Sequence, residues 1–136
     1  MELKPIGMII SPYKEKGDAP RQGRLSKENM QLVIDGEFLQ GMSGLEGIEH
    51  IIVLYWGDRA NRETLMTKPP GRDDITGVFS CRSPNRPNPI ALCVAKIDRI
   101  EENVIHVVGL DALDGSPLLD IKPYVEMIDG VGGETS

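Results

Sequence analysis

Residues 89–110 read PIALCVAKIDRIEENVIHVVGL. Pro89 to Ile100 predicts one strand, Glu101-Glu102-Asn103 a turn, and Asn103 to Leu110 the next strand. Nothing between the two has room for a crossover helix, so they pair antiparallel. The pattern extends outward in both directions. Leu3 to Ile10 reads as a first strand, stopped by Ser11-Pro12, and Gln31 to Ile34 as a short one. Ile48 to Trp56, apolar and β-branched, predicts a fully buried strand, and Thr76 to Cys81 and Leu118 to Met127 predict two more. Asp35 is expected to cap a short helix ending near Met42, with Phe38, Leu39 and Met42 on one face. The expected fold is mainly β, a small antiparallel β-barrel of about seven strands with one short helix.

Composition agrees. The 136 residues suit a single domain over 1–136, and 15 Gly with 10 Pro favour short strands and turns. The Gly-rich tail from Asp129 is expected to fray. No apolar run approaches the roughly 20 residues that span a bilayer. Met1 to Pro5 does not have the form of a signal peptide. Cys81 and Cys93 lie in apolar segments without CxxC spacing, which predicts buried free thiols, no metal site and a cytoplasmic location. Net charge is −6, yet residues 14–27 and 59–72 each carry a local +3, and residues 98–136 carry −7. That asymmetry permits a nucleic-acid-facing side.

Three segments hold the chemistry. In Arg82-Ser83-Pro84-Asn85-Arg86-Pro87-Asn88-Pro89-Ile90, three prolines stiffen a backbone that presents two guanidinium groups and two carboxamides. Such a frame is either a preorganised anion and hydrogen-bond site or a rigid solvated connector. In residues 109–124, Asp114-Gly115 signals a turn that brings backbone groups to the surface. Alternation then puts Asp120, Lys122 and Tyr124 on one strand face, lining a pocket or facing solvent. Pro20-Arg21-Gln22-Gly23-Arg24 is a turn whose Gly allows close backbone approach. The loop over residues 57–76 is long for a compact domain and is expected to be functional.

Together these segments resemble the TrmO family of tRNA (adenine-N6)-methyltransferases, the TsaA-like or YaeB domain. The resemblance rests on Ile6-Gly7-Met8-Ile9-Ile10-Ser11-Pro12-Tyr13 with Pro20-Arg21-Gln22, and on Gly44 to Ile51. It rests most specifically on Arg82 to Ile90 and on Asp114-Gly115-Ser116-Pro117 through Tyr124. It implies a β-barrel, homodimers, S-adenosylmethionine as cofactor, and methylation of threonylcarbamoyl-adenosine at tRNA position 37. It implies cofactor contacts at Gln22, Gly23, Arg86, Asn88 and Asp114 to Leu118, hence Gly115, Ser116 and Pro117. Two departures are visible: some relatives carry a second C-terminal domain, and Gly57 to Arg62 matches poorly.

On that basis Arg86 is expected to hold the cofactor carboxylate, backbone groups of Gly115 to Leu118 to frame the adenine or ribose, and Asp114 to accept from ribose hydroxyls. The target nitrogen is a poor nucleophile, so a general base is useful, and Asp120 and Tyr124 are the candidates, with Lys122 attracting the threonyl carboxylate. Tyr124 alternatively stacks on a base. Arg59, Arg62, Lys68 and Arg72 are expected to contact phosphates of the anticodon loop. His50, His106 and Trp56 are expected in packing roles. The rival to a methyltransferase is a module that binds S-adenosylmethionine as a sensor or regulatory subunit. A hydrolase would need a Ser-His or Cys-His pair, and an RNA-binding barrel would need more than six aromatic residues.

Overall fold

In the computed structural model, which describes residues 1–20, 23 and 26–131, six antiparallel strands close into a barrel. The strands are β1 (Gly7–Ile10), β2 (Asn29–Ile34), β3 (His50–Trp56), β6 (Ile90–Glu101), β7 (Val104–Val108) and β8 (Pro117–Pro123). They run around the barrel in the order β1-β2-β7-β6-β3-β8. Two short strands, β4 (Met66–Thr67) and β5 (Thr76–Gly77), form a separate ribbon inside the long loop. Closure leaves the six strands with no open edge.

Period-two alternation explains the packing. Ile9, Met30, Leu32, Ile51, Val53, Ile105, Val107 and Leu118 point inward and are essentially fully buried. β3 was expected to be buried on both faces; instead burial alternates along it, because a six-stranded barrel has a single interior. Its outward positions meet those of β6, where Ile90, Leu92 and Val94 are exposed. In β6 the inward side chains are small, Ala91, Cys93 and Ala95, and the register shifts between Ile97 and Arg99, where the long strand changes course.

Other boundaries also move. The expected first strand is only four residues long, since Met1 to Pro5 is exposed and unpaired. Asp35 has extended backbone but makes no side-chain cap, and Gly36–Met42 is a 3-10 helix. Phe38 and Met42 pack on the core while Leu39 is exposed. The segment expected as one strand over 76–81 is β5 followed by a 3-10 turn at Val78–Ser80. β8 ends at Pro123, and Glu126–Asp129 is a short α-helix, α1. The tail expected to fray lies, for residues 132–136, outside the described residues. Among the described residues no helix is long and apolar enough to cross a membrane.

The register sorts the connections between two ends. Ile10 pairs with Gln31, Asn29 with Val108, Trp56 with Ile90, and Met8 with Pro117. Residues 11–28, 57–89 and 109–116 therefore all leave the barrel at one end. The 3-10 segments after β2 and the Glu102-Asn103 turn lie at the other, where Ile6, Ile34, Phe38, Met42 and Ile121 line a shallow apolar cavity.

Candidate functional site

The proline-framed segment and the Asp114-Gly115 turn emerge at the same barrel end, and hydrogen bonds join each of them to residues 57–63. Asp114 and Gly115 form a turn in which Gly115 has φ +84°, a conformation that suits glycine. Gly115 N–H donates to the Ile9 carbonyl at 2.8 Å and Asp114 N–H to the Tyr13 carbonyl at 2.7 Å. The Asp114 carboxylate accepts from Ser11 N–H at 2.9 Å and from Lys14 Nζ at 3.0 Å. The Ser11 backbone amide, then Lys14, hold this carboxyl below the usual carboxylate range.

Residues 57–63 tie this turn to the proline-framed segment. Arg59 donates to the carbonyls of Lys14 at 2.6 Å and Asp114 at 2.8 Å. Asn61 N–H donates to Asn85 Oδ1 at 2.9 Å, and Gly57 N–H to the Pro89 carbonyl at 2.8 Å. Arg62 donates to the Pro87 carbonyl at 2.7 Å and Asn88 Oδ1 at 3.2 Å, and its guanidinium lies 5.0 Å from the centre of the Trp56 ring. Residues 57–63 thus brace the Asp114-Gly115 turn and the Asn85–Pro89 segment together.

Several candidate residues hold the scaffold. Arg86 Nη2 donates to the Val78 and Cys81 carbonyls, closing the 3-10 turn over the proline segment, while its Nε is buried without a partner among the described residues. Ser116 is buried and donates to the Leu113 carbonyl at 2.6 Å, Leu118 is core, and Pro117 opens β8. Gly23 fits because a Cβ there would collide with the Gly109 carbonyl and lie 2.9 Å from Cys93 Sγ. The close approach it permits is to the chain itself. Gln22 lies outside the described residues.

Sequence reasoning gave little weight to Asp111, Tyr55 and Cys93. Tyr55 and Cys93 point into the barrel from β3 and β6, and Asp111 sits just past β7 above them. Tyr55 OH donates to Asp111 Oδ1 at 2.6 Å and Cys93 Sγ–H to the same oxygen at 3.3 Å. Burial, then Asp111, raise the phenol far above its ordinary value and push the thiol up to about 12. Alternation places the phenol and the thiol inside the barrel, but no local pattern announces a carboxylate from another strand end. Arg82 is exposed and makes no hydrogen bond or ion pair among the described residues.

The proposed base and its neighbours stand apart. Asp120 pairs with Leu54 and Lys122 with Ile52, both on the outer face of the barrel. They form an exposed ion pair at 3.2 Å. Tyr124 lies beyond β8, bonded through its hydroxyl to Glu126, with its N–H on the His50 carbonyl at 3.0 Å. Lys122 and Tyr124 sit toward the opposite end from the motif loops. Lys68 is exposed, while Arg72 pairs with Asp74 at 3.0 Å. His106 is buried with Nε2 3.0 Å from Glu101, and His50 is half-buried beside Glu49. Among the described residues no three His, Cys, Asp or Glu side chains converge as metal ligands.

A closed antiparallel barrel whose Pro-rich segment and Asp-Gly turn meet at one end defines a compact class of β-barrel domain, distinct from sheets with crossover helices. The chain belongs to the tRNA-methyltransferase O N-terminal domain family, whose sequence model matches residues 8–130. It is 52% identical over 131 residues to a protein of Archaeoglobus fulgidus named S-adenosyl-L-methionine-binding protein, covering 96% of this chain and 94% of that one. The crystal structure of TrmO from Pseudomonas aeruginosa superposes with a TM-score of 0.79 at 33% identity, over 96% of this chain. This chain spans 58% of that TrmO chain.

Proposed function

We propose that this chain binds S-adenosylmethionine among the loops at the motif end of the barrel and transfers its methyl group to the exocyclic nitrogen of threonylcarbamoyl-adenosine at tRNA position 37. The observation that carries the reading is the bracing of the Asp114-Gly115 turn and the Asn85–Pro89 segment by one stretch, residues 57–63. Membership of the methyltransferase family and the name of the Archaeoglobus relative support the cofactor.

The residues present fit that group. An amino-acid carboxylate calls for a guanidinium, and the loop end offers the exposed Arg82 and Arg86, whose buried Nε has no hydrogen-bond partner among the described residues. A nucleoside calls for backbone donors and acceptors with open space, and nothing lies within 4 Å of the site a Cβ would take at Gly115. When bound, the cofactor supplies an electrophilic methyl group, so the chain has only to align and place charge. Arg86 keeps the proline segment in one conformation, and Arg59 keeps the Asp-Gly turn against the Lys14 loop. Lys68 and the remaining basic residues of the long loop, Arg59, Arg62 and Arg72, offer positive charge to an anticodon loop.

The homodimer belongs to the same proposal. The outer face of β6 exposes Ile90, Leu92 and Val94, beside the outward Ile52 and Leu54 of β3, and a second copy of the chain is its proposed occupant. Asp120 and Lys122 follow on the same outer side of β8, with Tyr124 just beyond its end, where a partner would bring them within reach of another motif end.

Incubation with methyl-labelled cofactor and total tRNA tests the reading. Label in a methylated threonylcarbamoyl-adenosine after nuclease digestion supports it. Tight cofactor binding with no labelled tRNA supports the second reading, a non-catalytic sensor or regulatory module. The name of the Archaeoglobus relative and the distance of Lys122 and Tyr124 from the motif loops favour that alternative.

A further inference from the structure

We infer that Phe79 is a stacking platform for an unpaired base of the RNA substrate, with Lys68 and Arg82 facing the flanking phosphates. The inference rests on the tRNA reading above and names the part of this chain on which the strand lies.

Phe79 is 84% exposed, whereas the other five aromatic side chains are buried or half-buried. A ring left in water forgoes the stabilisation that burial gives the rest. Its mounting is nonetheless firm. Val78 is buried, and its N–H donates to the Leu65 carbonyl at 3.0 Å, which seats the 3-10 turn on the β4–β5 ribbon. The Arg86 guanidinium holds the Val78 and Cys81 carbonyls, one before Phe79 in the chain and one after it. The backbone under the ring is therefore ordered in advance, and a ligand that covers the ring does not have to order the turn.

The surroundings suit single-stranded nucleotides. Met66 pairs with Gly77, and alternation puts Lys68 and Ile75 on the same ribbon face as that pair. Met66 and Ile75 are both more than half exposed. A Cβ at Gly77 would meet nothing nearer than the Leu65 carbonyl at 3.9 Å, so that face is open at its centre. Lys68 and Arg82 are exposed and make no ion pair among the described residues. Residues 59–86 hold six cationic and three acidic side chains, a balance of +3 in a chain whose net charge is −6. A polyanion is drawn to such a stretch rather than to the acidic remainder. An apolar protein partner would gain nothing from that charge, whereas unpaired nucleotides offer a π-face to the ring and phosphates to the cations.

Fluorescence anisotropy with a labelled anticodon stem-loop RNA carrying threonylcarbamoyl-adenosine, and with a fully paired RNA duplex, tests the inference on wild type, Phe79→Ala, Phe79→Leu and Phe79→Trp. The side chain is exposed, so all three variants are expected to unfold within a few degrees of wild type. F79A and F79L should weaken the stem-loop at least about fivefold and leave the duplex unchanged, since a duplex presents no free π-face. F79W should keep the affinity, and its added emission should be quenched by the stem-loop alone. The salt dependence of stem-loop binding should be unchanged in F79A and shallower by about one ion in Lys68→Ala. An unchanged slope in K68A overturns the phosphate contact. Unchanged stem-loop affinity in F79A overturns the inference alone, and so does F79L that binds like wild type, because it reduces the ring to an apolar contact. An equal loss for stem-loop and duplex overturns it too. A variant that sediments at lower mass than wild type assigns the face to a second copy of the chain instead. Wild type that binds neither RNA overturns the tRNA reading and this inference with it.

Discussion

Arg86 and Asp114 illustrate how a motif residue can serve the scaffold first. The Arg86 guanidinium holds the Val78 and Cys81 carbonyls, so the proline segment depends on it even before any ligand arrives. Both bonds come from the one nitrogen Nη2, and a lysine ammonium, on a stem one bond shorter, does not reach the same point between the two carbonyls. Arg86→Lys is expected to lower stability by about 1–3 kcal/mol in urea unfolding, the cost of leaving part-buried carbonyls unpaired. Asp114 makes a pH-dependent contribution. Its carboxyl is depressed in the folded state, so the stability it contributes is fully present above the ordinary aspartate value near about pH 4 and is lost as pH falls through the lower folded value. Asp114→Asn is expected to flatten the acid limb of a stability-versus-pH curve, measured by thermal unfolding between pH 7 and 2.5. An unchanged slope would show that Ser11 and Lys14 do not stabilise the ionised form.

At the scale of elements, the sequence located most strands and misplaced their ends. β6 and β7 were legible because their alternation and the turn between them are local properties. The burial of β3 was not, because Ile52 and Leu54 are as apolar as Ile51 and Val53, and only closure decides which face turns inward. The same limit applies to Gly36–Met42, where composition suggests an α-helix but too few residues pack against the barrel to hold more than 3-10 turns. The β6–β7 turn stores a small strain, since Glu102 sits at φ +53° without being glycine. Glu102→Gly is expected to stabilise the hairpin by about 0.5–1 kcal/mol, because the residue is exposed and contributes little packing. Chemical denaturation reads this directly, and a destabilisation would mean that the side chain contributes more than the strain costs.

At the scale of the whole molecule, closure of the barrel is what brings two separated segments to one end. Nothing local in Arg82 to Ile90 or Asp114 to Pro117 says that they share an end of the fold; the strand order does. The candidates at Asp114 and Gly115 were visible as turn chemistry, and Arg86 as a charge on a stiff loop. Asp111 with Tyr55 and Cys93 was invisible because its members come from two strands and the loop after a third. Asp120 and Lys122 were correctly placed on one face, and that face is the outside of the barrel. If a second copy covers it, Leu92→Glu, on the exposed face of β6, is expected to shift the sedimentation mass from dimer to monomer without loss of fold. A wild type that sediments as a monomer would remove the homodimer.

The proposed S-adenosylmethionine site lies at the end of the barrel carrying residues 11–28, 57–89 and 109–116. Backbone amide shifts of the labelled protein, followed by NMR during titration with that compound, test it directly. Saturable shifts concentrated at Asp111 to Leu118, Arg82 to Ile90 and the loop after β1 are expected. Shifts confined to Gly36–Met42, the Glu102-Asn103 turn and α1, or none at millimolar cofactor, would contradict it.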